Sequence, residues 1–162
     1  MLTQQQVQHF ETFGFLVLRA AFSSAEMAAI TAEFEASLLD DRGGRAFGGE
    51  ERQAVFGMVE RRPQLMQLAE DDRIFGPMEQ ILGEGFVWVG SDGNYWVGDT
   101  QWHPDRHDRT WPLVKASFYL DSVTRETGCL RVIPGSHRMP FWENLAPLER
   151  TMMQVNREHG WE

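Results

Sequence analysis

The hydrophobic pattern turns from mainly helical to strand-like at Gly85, and that change limits the fold more than any other feature. Before it, apolar residues recur mostly at helical spacing. Thr3 and Gln6 stand at capping-box spacing, where a hydroxyl and a side-chain amide satisfy the orphan N–H groups of a helix start. Val7 and Phe10 follow in helical phase, and the helix is expected to end near Gly14. The run Phe15-Leu16-Val17-Leu18 reads as a short strand. Ser23 and Glu26 repeat the capping spacing ahead of a helix whose apolar face holds Met27, Ile30, Phe34 and Leu38. Residues 40–51 carry four glycines and no apolar period, so they form a loop. Residues 62–82 read as helical, with Leu65, Leu68 and Ile81 as core candidates. A restart is expected at Asp71-Asp72, since carboxylates favour the positive end of a helix.

After Gly85 the pattern is strand-like. Phe86-Val87-Trp88-Val89 and Asn94-Tyr95-Trp96-Val97 flank Gly90-Ser91-Asp92-Gly93, a hairpin or bulge signal. Leu113 to Leu120 and Cys129 to Ile133 read as further strands, joined by a polar turn ending at Gly128. Helices first and strands after predicts an α+β, mainly β, layout with an antiparallel sheet. The expected organisation is one domain over 1–162, helical in 1–82, with strands in 85–138 and a tail or insertion in 139–162.

Charge narrows the partners. The chain has 24 acidic and 15 basic residues, a net charge of −9, so phosphate-rich nucleic acid and anionic membrane surfaces are disfavoured. Cys129 is the single cysteine, which excludes an internal disulfide framework and a Cys-rich zinc site. No apolar run approaches the roughly 18 residues of a membrane span. The opening residues lack the pattern of a signal peptide. A soluble, cytoplasmic protein is the expectation.

The sharpest chemical feature is Trp102-His103-Pro104-Asp105. In extended chain, side chains at i and i+2 leave on one face about 7 Å apart along the backbone, so an imidazole nitrogen and a carboxylate oxygen can converge on one ion. That donor pair suits Fe(II), Mn(II) or Zn(II) rather than Cu(I), and with a distant second His it makes the facial triad of non-haem iron oxygenases. The alternative is a surface His beside an Asp in a turn. His107 has the same parity as His103 and Asp105, but all three could bind one ion only from a bent loop. His137, after Pro134-Gly135-Ser136, reads either as a hydrogen-bond partner of loop backbone or as a ligand. His9 and His159 read as solvated. Cys129 lies in an apolar run and reads as packing rather than nucleophile. Gly43-Gly44 and Gly48-Gly49 lack the Lys and strand-to-helix context of a phosphate loop. Trp88, Trp96, Trp102 and Trp111 fall in or beside strands and read as core or pocket wall.

Three segments in this order resemble the phytanoyl-CoA dioxygenase family of Fe(II)- and 2-oxoglutarate-dependent oxygenases. They are Leu2-Thr3 through Phe13-Gly14-Phe15-Leu16-Val17-Leu18, Asn94-Tyr95 leading into Trp102-His103-Pro104-Asp105, and Phe118-Tyr119-Leu120-Asp121 through Glu126-Thr127-Gly128-Cys129-Leu130 to Ile133-Pro134-Gly135-Ser136-His137-Arg138. The resemblance implies a double-stranded β-helix (a cupin-like jelly roll) with N-terminal helices packed on one side. It implies Fe(II) held by His103, Asp105 and a distal His, with 2-oxoglutarate as cosubstrate. An aliphatic carbon of a small molecule or acyl-CoA ester would be hydroxylated while 2-oxoglutarate goes to succinate and CO2. Asn94, before the H-x-D pair, and Ser117, after it, are the expected cosubstrate contacts. Lys115 shares the face of Ser117 and either pairs with a carboxylate or is solvated. Relatives carry the distal His and a 2-oxoglutarate-pairing Arg on later strands, whereas the 25 residues after His137 hold no matching segment. A jelly roll needs about eight strands, and fewer are readable here. The chain is therefore expected to be the N-terminal part of a longer enzyme, an incomplete jelly roll with open edges, inactive by itself. The alternatives are a non-catalytic metal- or small-molecule-binding half-barrel, and a cupin-like metalloenzyme with a local third ligand.

Overall fold

Capping chemistry sets the first two helices. Helix α1 (Gln4–Phe13) begins at Thr3, whose hydroxyl accepts the Gln6 N–H at 3.3 Å while Gln6 Oε1 accepts the Thr3 N–H at 2.9 Å. It ends at Gly14, in the left-handed region at φ +80°, where the Gly14 N–H donates to the Phe10 carbonyl at 2.7 Å. Helix α2 (Ser24–Asp41) opens on the same reciprocal box between Ser23 and Glu26. The computed structural model describes residues 1–98, 100, 102–105 and 110–148.

The expected restart falls at Asp71. Helix α3 (Pro63–Glu70) starts on proline, whose missing N–H costs nothing at that position. Helix α4 (Asp72–Leu82) is capped by the Asp71 carboxylate, which accepts the Arg73 N–H at 2.9 Å. Arg73 then ties the helices together. Its guanidinium donates to Asp71 at 2.7 Å, pairs with Glu26 of α2 at 2.8 Å and lies 4.0 Å over the Phe22 ring. Hydrogen bonds from Arg73 hold the Glu26 and Asp71 carboxyls down at about 2.

Strand β1 (Gln53–Phe56) pairs antiparallel with strand β2 (Asp92–Tyr95), in the register Gln53 to Tyr95, Ala54 to Asn94, Val55 to Gly93 and Phe56 to Asp92. This ladder covers the core. Leu38 of α2, Val55 of β1, Met58 and Leu65 of α3 are buried together, with Ile30, Phe34, Val59, Leu68 and Tyr95 packed around them. Gly93 lets β2 come down onto that core: a Cβ there would stand 2.6 Å from the Phe34 ring and 2.7 Å from the Met58 methyl. Gln53 joins β1 to the end of α2, donating from Nε2 to the Leu38 carbonyl at 3.0 Å. Phe47 from the glycine-rich loop stacks on Tyr95 at 4.4 Å. Burial, reinforced by a hydrogen bond with Glu35, pushes the Tyr95 hydroxyl up to about 12.

The strand expectations need correction. Residues 92–95 pair with Gln53–Phe56, a strand the periodicity did not announce, rather than folding back on Phe86–Val89 as a hairpin. The cause is Glu60. Its carboxylate accepts Trp88 Nε1–H at 2.7 Å and also the Ser91 hydroxyl, while Ser91 Oγ accepts the Val59 N–H at 2.8 Å. That clamp draws residues 88–91 onto the 3-10 turn Val59–Arg61 and leaves β2 facing β1. Phe15–Leu18, Leu113–Leu120 and Cys129–Ile133 form no ladder, and among the described residues the β1–β2 pair is the only sheet. Alternation can orient side chains, but a ladder also needs a neighbour supplying N–H and C=O groups. Accordingly Val87, Val89 and Leu130 stay exposed, at 77%, 80% and 63%. The jelly-roll expectation is thus met in part, by helices beside a small antiparallel sheet. A short helix α5 (Phe141–Asn144) lies in the expected tail.

Candidate functional site

Proline shapes the H-x-D segment. Pro104 fixes its own φ and biases His103 toward extended backbone, which keeps the i and i+2 side chains on one side. His103 Nε2 lies 4.0 Å from Asp105 Oδ1, with the two side chains 49% and 55% exposed. The donors therefore face one another and remain open to solvent. Trp102, just before them, is covered by the Arg131 guanidinium at 5.4 Å.

Strand β2 supplies the next groups. Asp92 and Asn94 share a face by parity. Asn94 Nδ2–H donates to Asp92 Oδ2, and Asn94 Oδ1 accepts from Arg52, through Nε–H at 3.0 Å and through Nη2–H. Arg52 lies 3.7 Å over the Trp96 ring, an arrangement that fixes its planar fork. Lys115 bridges to the H-x-D pair, with Nζ 3.7 Å from Asp92 Oδ1 and 3.9 Å from Asp105 Oδ1. A polar chain thus runs Arg52, Asn94, Asp92, Lys115, Asp105, His103.

Of the sequence candidates, His103, Asp105 and Asn94 belong to this chain, and Lys115 takes the carboxylate-paired option. Ser117 is exposed two residues beyond Lys115. His137 is engaged elsewhere: its Nε2 lies 3.1 Å from the Glu11 carbonyl, Arg138 donates to the same oxygen, and the Gly135 N–H donates to the Phe13 carbonyl at 2.9 Å. The Pro-Gly-Ser-His turn therefore holds the end of α1, the backbone role among the two expected for it. His9, expected to be solvated, is half-buried, with its ring against Phe13 and Phe15 at 4.7 and 5.4 Å. The tryptophans are not core either. Trp88, Trp96 and Trp111 are 50%, 52% and 67% exposed, the first two occupied by Glu60 and Arg52. Cys129 is a free, half-buried thiol. His107 and His159 lie outside the described residues.

Arg52, Asp92 and Arg131 were not singled out from the sequence. Parity with Asn94 was an available signal for Asp92; Arg52 is 42 residues from its partner and had no local one. Among the described residues no three His, Cys, Asp or Glu side chains gather around one point. The donor chemistry nonetheless fits a divalent ion: an imidazole nitrogen and a carboxylate oxygen face each other, and that carboxylate already draws a cation, Lys115. Among the described residues no helix is long and apolar enough to cross a membrane.

The chain is similar to known proteins along most of its length. Residues 10–158 match the phytanoyl-CoA dioxygenase family. Curated relatives include an ectoine dioxygenase of Bordetella bronchiseptica, 30% identical over 154 residues, which cover 85% of this chain and 50% of the relative. Those of Streptomyces avermitilis and Halomonas elongata are 28% and 30% identical over 155 residues, covering 85% of this chain and 52% and 47% of the relatives. The chain spans about half the length of the curated relatives it matches. No solved structure matches it significantly.

Proposed function

The chain belongs to the phytanoyl-CoA dioxygenase family, and on that footing we propose that it serves as an Fe(II)- and 2-oxoglutarate-dependent dioxygenase hydroxylating an aliphatic carbon of a small molecule in the cytoplasm. The observation that carries this reading is the facing of His103 Nε2 and Asp105 Oδ1 on the H-x-D segment. When bound, iron with 2-oxoglutarate supplies the O2 activation and oxidising power that no side chain has. His103 and Asp105 hold the metal. Asn94 has a second amide N–H beyond the one given to Asp92, available to a cosubstrate carboxylate. Ser117 adds a hydroxyl on the segment that follows. Arg52 and Asp92 fix the Asn94 amide so that it need not be ordered when the cosubstrate arrives. The relatives' names make ectoine the first substrate to try.

The test is anaerobic Fe(II) titration of the whole chain, with and without 2-oxoglutarate, reading the visible charge-transfer band of the chelate. A band that disappears in both His103→Ala and Asp105→Ala is expected, and succinate should form when O2 and ectoine are added. A band that persists in both variants, or none at all from folded protein, would overturn the assignment.

A further inference from the structure

Lys115 stands where a site for a dication would be expected to tolerate no other cation. Its ammonium faces Asp105 Oδ1 at 3.9 Å, the same oxygen that faces His103 Nε2 at 4.0 Å. The oxygen best placed to share an ion with the imidazole is therefore already opposite a positive charge. Neither lysine contact is locked. At 3.7 and 3.9 Å both exceed the length of a charge-assisted hydrogen bond, and the Lys115 side chain is 54% exposed. Its second anion is the better anchored one. The Asp92 side chain is 28% exposed, and Asp92 sits on β2 with its other oxygen engaged by Asn94.

We propose that Lys115 is the placeholder cation of the H-x-D pair: it neutralises Asp105 and holds it beside β2 while no metal is bound, and withdraws toward Asp92 when one enters. This inference rests on the iron-site reading above and adds a positioning residue to it. Lys115 keeps the metal-free carboxylate from repelling Asp92, and in exchange weakens the metal. An ion bound at about 2 Å from Asp105 Oδ1 lies no more than about 6 Å from an unmoved ammonium. With water-like screening, appropriate to half-exposed groups, a dication facing a single positive charge at that range loses roughly tenfold in affinity. Retreat to Asp92 recovers part of the loss, so Asp92 and Lys115 together set how readily the site fills and empties.

The test is titration of the full chain with Mn(II), following free Mn(II) by electron paramagnetic resonance. Wild type is compared with Lys115→Met, Lys115→Arg and the double variant His103→Ala/Asp105→Ala, each checked for unchanged circular dichroism. Lys115→Met is expected to bind about tenfold tighter at low salt and Lys115→Arg to match wild type. The gap should narrow at 1 M salt, where the Debye length falls to about 3 Å. Binding abolished in the double variant but unchanged or weaker in Lys115→Met overturns the placeholder role alone, because a lysine that merely props up the loop would weaken binding when removed. No binding in any protein, or binding that survives in the double variant, overturns the H-x-D reading and this inference with it.

Discussion

Replacing Gly93 by alanine tests the link between the core and the polar chain most directly, because this one position faces both. On its buried side the missing Cβ leaves room taken by Phe34 Cε2 at 2.6 Å, Met58 Cε at 2.7 Å and Met58 Cγ at 2.8 Å. The methionine methyl can swing away, but its Cγ and the phenyl ring belong to packed elements and cannot do so without moving β2 or α2. Overpacking of that kind costs about 2 kcal/mol, which for a chain of this size lowers Tm by roughly 4–8 °C. Thermal melts followed by circular dichroism give the number. The cause is checked in a Phe34→Leu background, where the ring is gone: there the added methyl should cost about 1 kcal/mol less. A Gly93→Ala protein within about 0.5 kcal/mol of wild type, or an equal cost in both backgrounds, would refute the packing argument. Displacement of β2 should also loosen Arg52 from Asn94, its neighbour on the strand.

Two further perturbations address the helices. Glu26 and Asp71 have carboxyls held at about 2 in the folded protein against ordinary values of 4.5 and 3.8, mainly by Arg73. A lowered folded value means stabilisation present above the ordinary value and lost as pH falls to about 2, so Arg73→Met should be less stable than wild type at pH 7, with the gap closing from about 4.5 down to about 2. Urea midpoints across that range measure it, and a gap independent of pH would contradict the assignment. Gly14→Ala places a Cβ 2.3 Å from His137 Nδ1 at φ +80°, costing at least 1–2 kcal/mol by backbone strain alone. Amide exchange at Gly135, whose N–H is held by Phe13, should then accelerate at least tenfold, and unchanged protection would show that the turn does not depend on α1.

What was legible in the sequence was what is decided within a few residues. Thr3 with Gln6, Ser23 with Glu26 and the Asp71 cap are local contests between a side chain and the backbone, so spacing alone located three helix starts. The His103–Asp105 relation is local as well, and the structure brings those two donors face to face. The pairing of β2 was not legible, because its outcome depends on Glu60 reaching Trp88 and Ser91, 28 and 31 residues away, and on a four-residue β1 too short to show alternation. The same limit separates the visible from the hidden half of the site. Asn94, His103 and Lys115 could be named from the sequence, but Arg52 and Asp92 acquire meaning only once the ladder sets Asn94 beside Arg52 and Asp92 beside Lys115. That ordering bears on how the site works. The proposed donors His103 and Asp105 lie on an exposed segment, and Lys115 links Asp105 to Asp92 of β2. The placement of Asp105 before a metal binds therefore depends on the β1–β2 ladder as well as on Pro104 beside it.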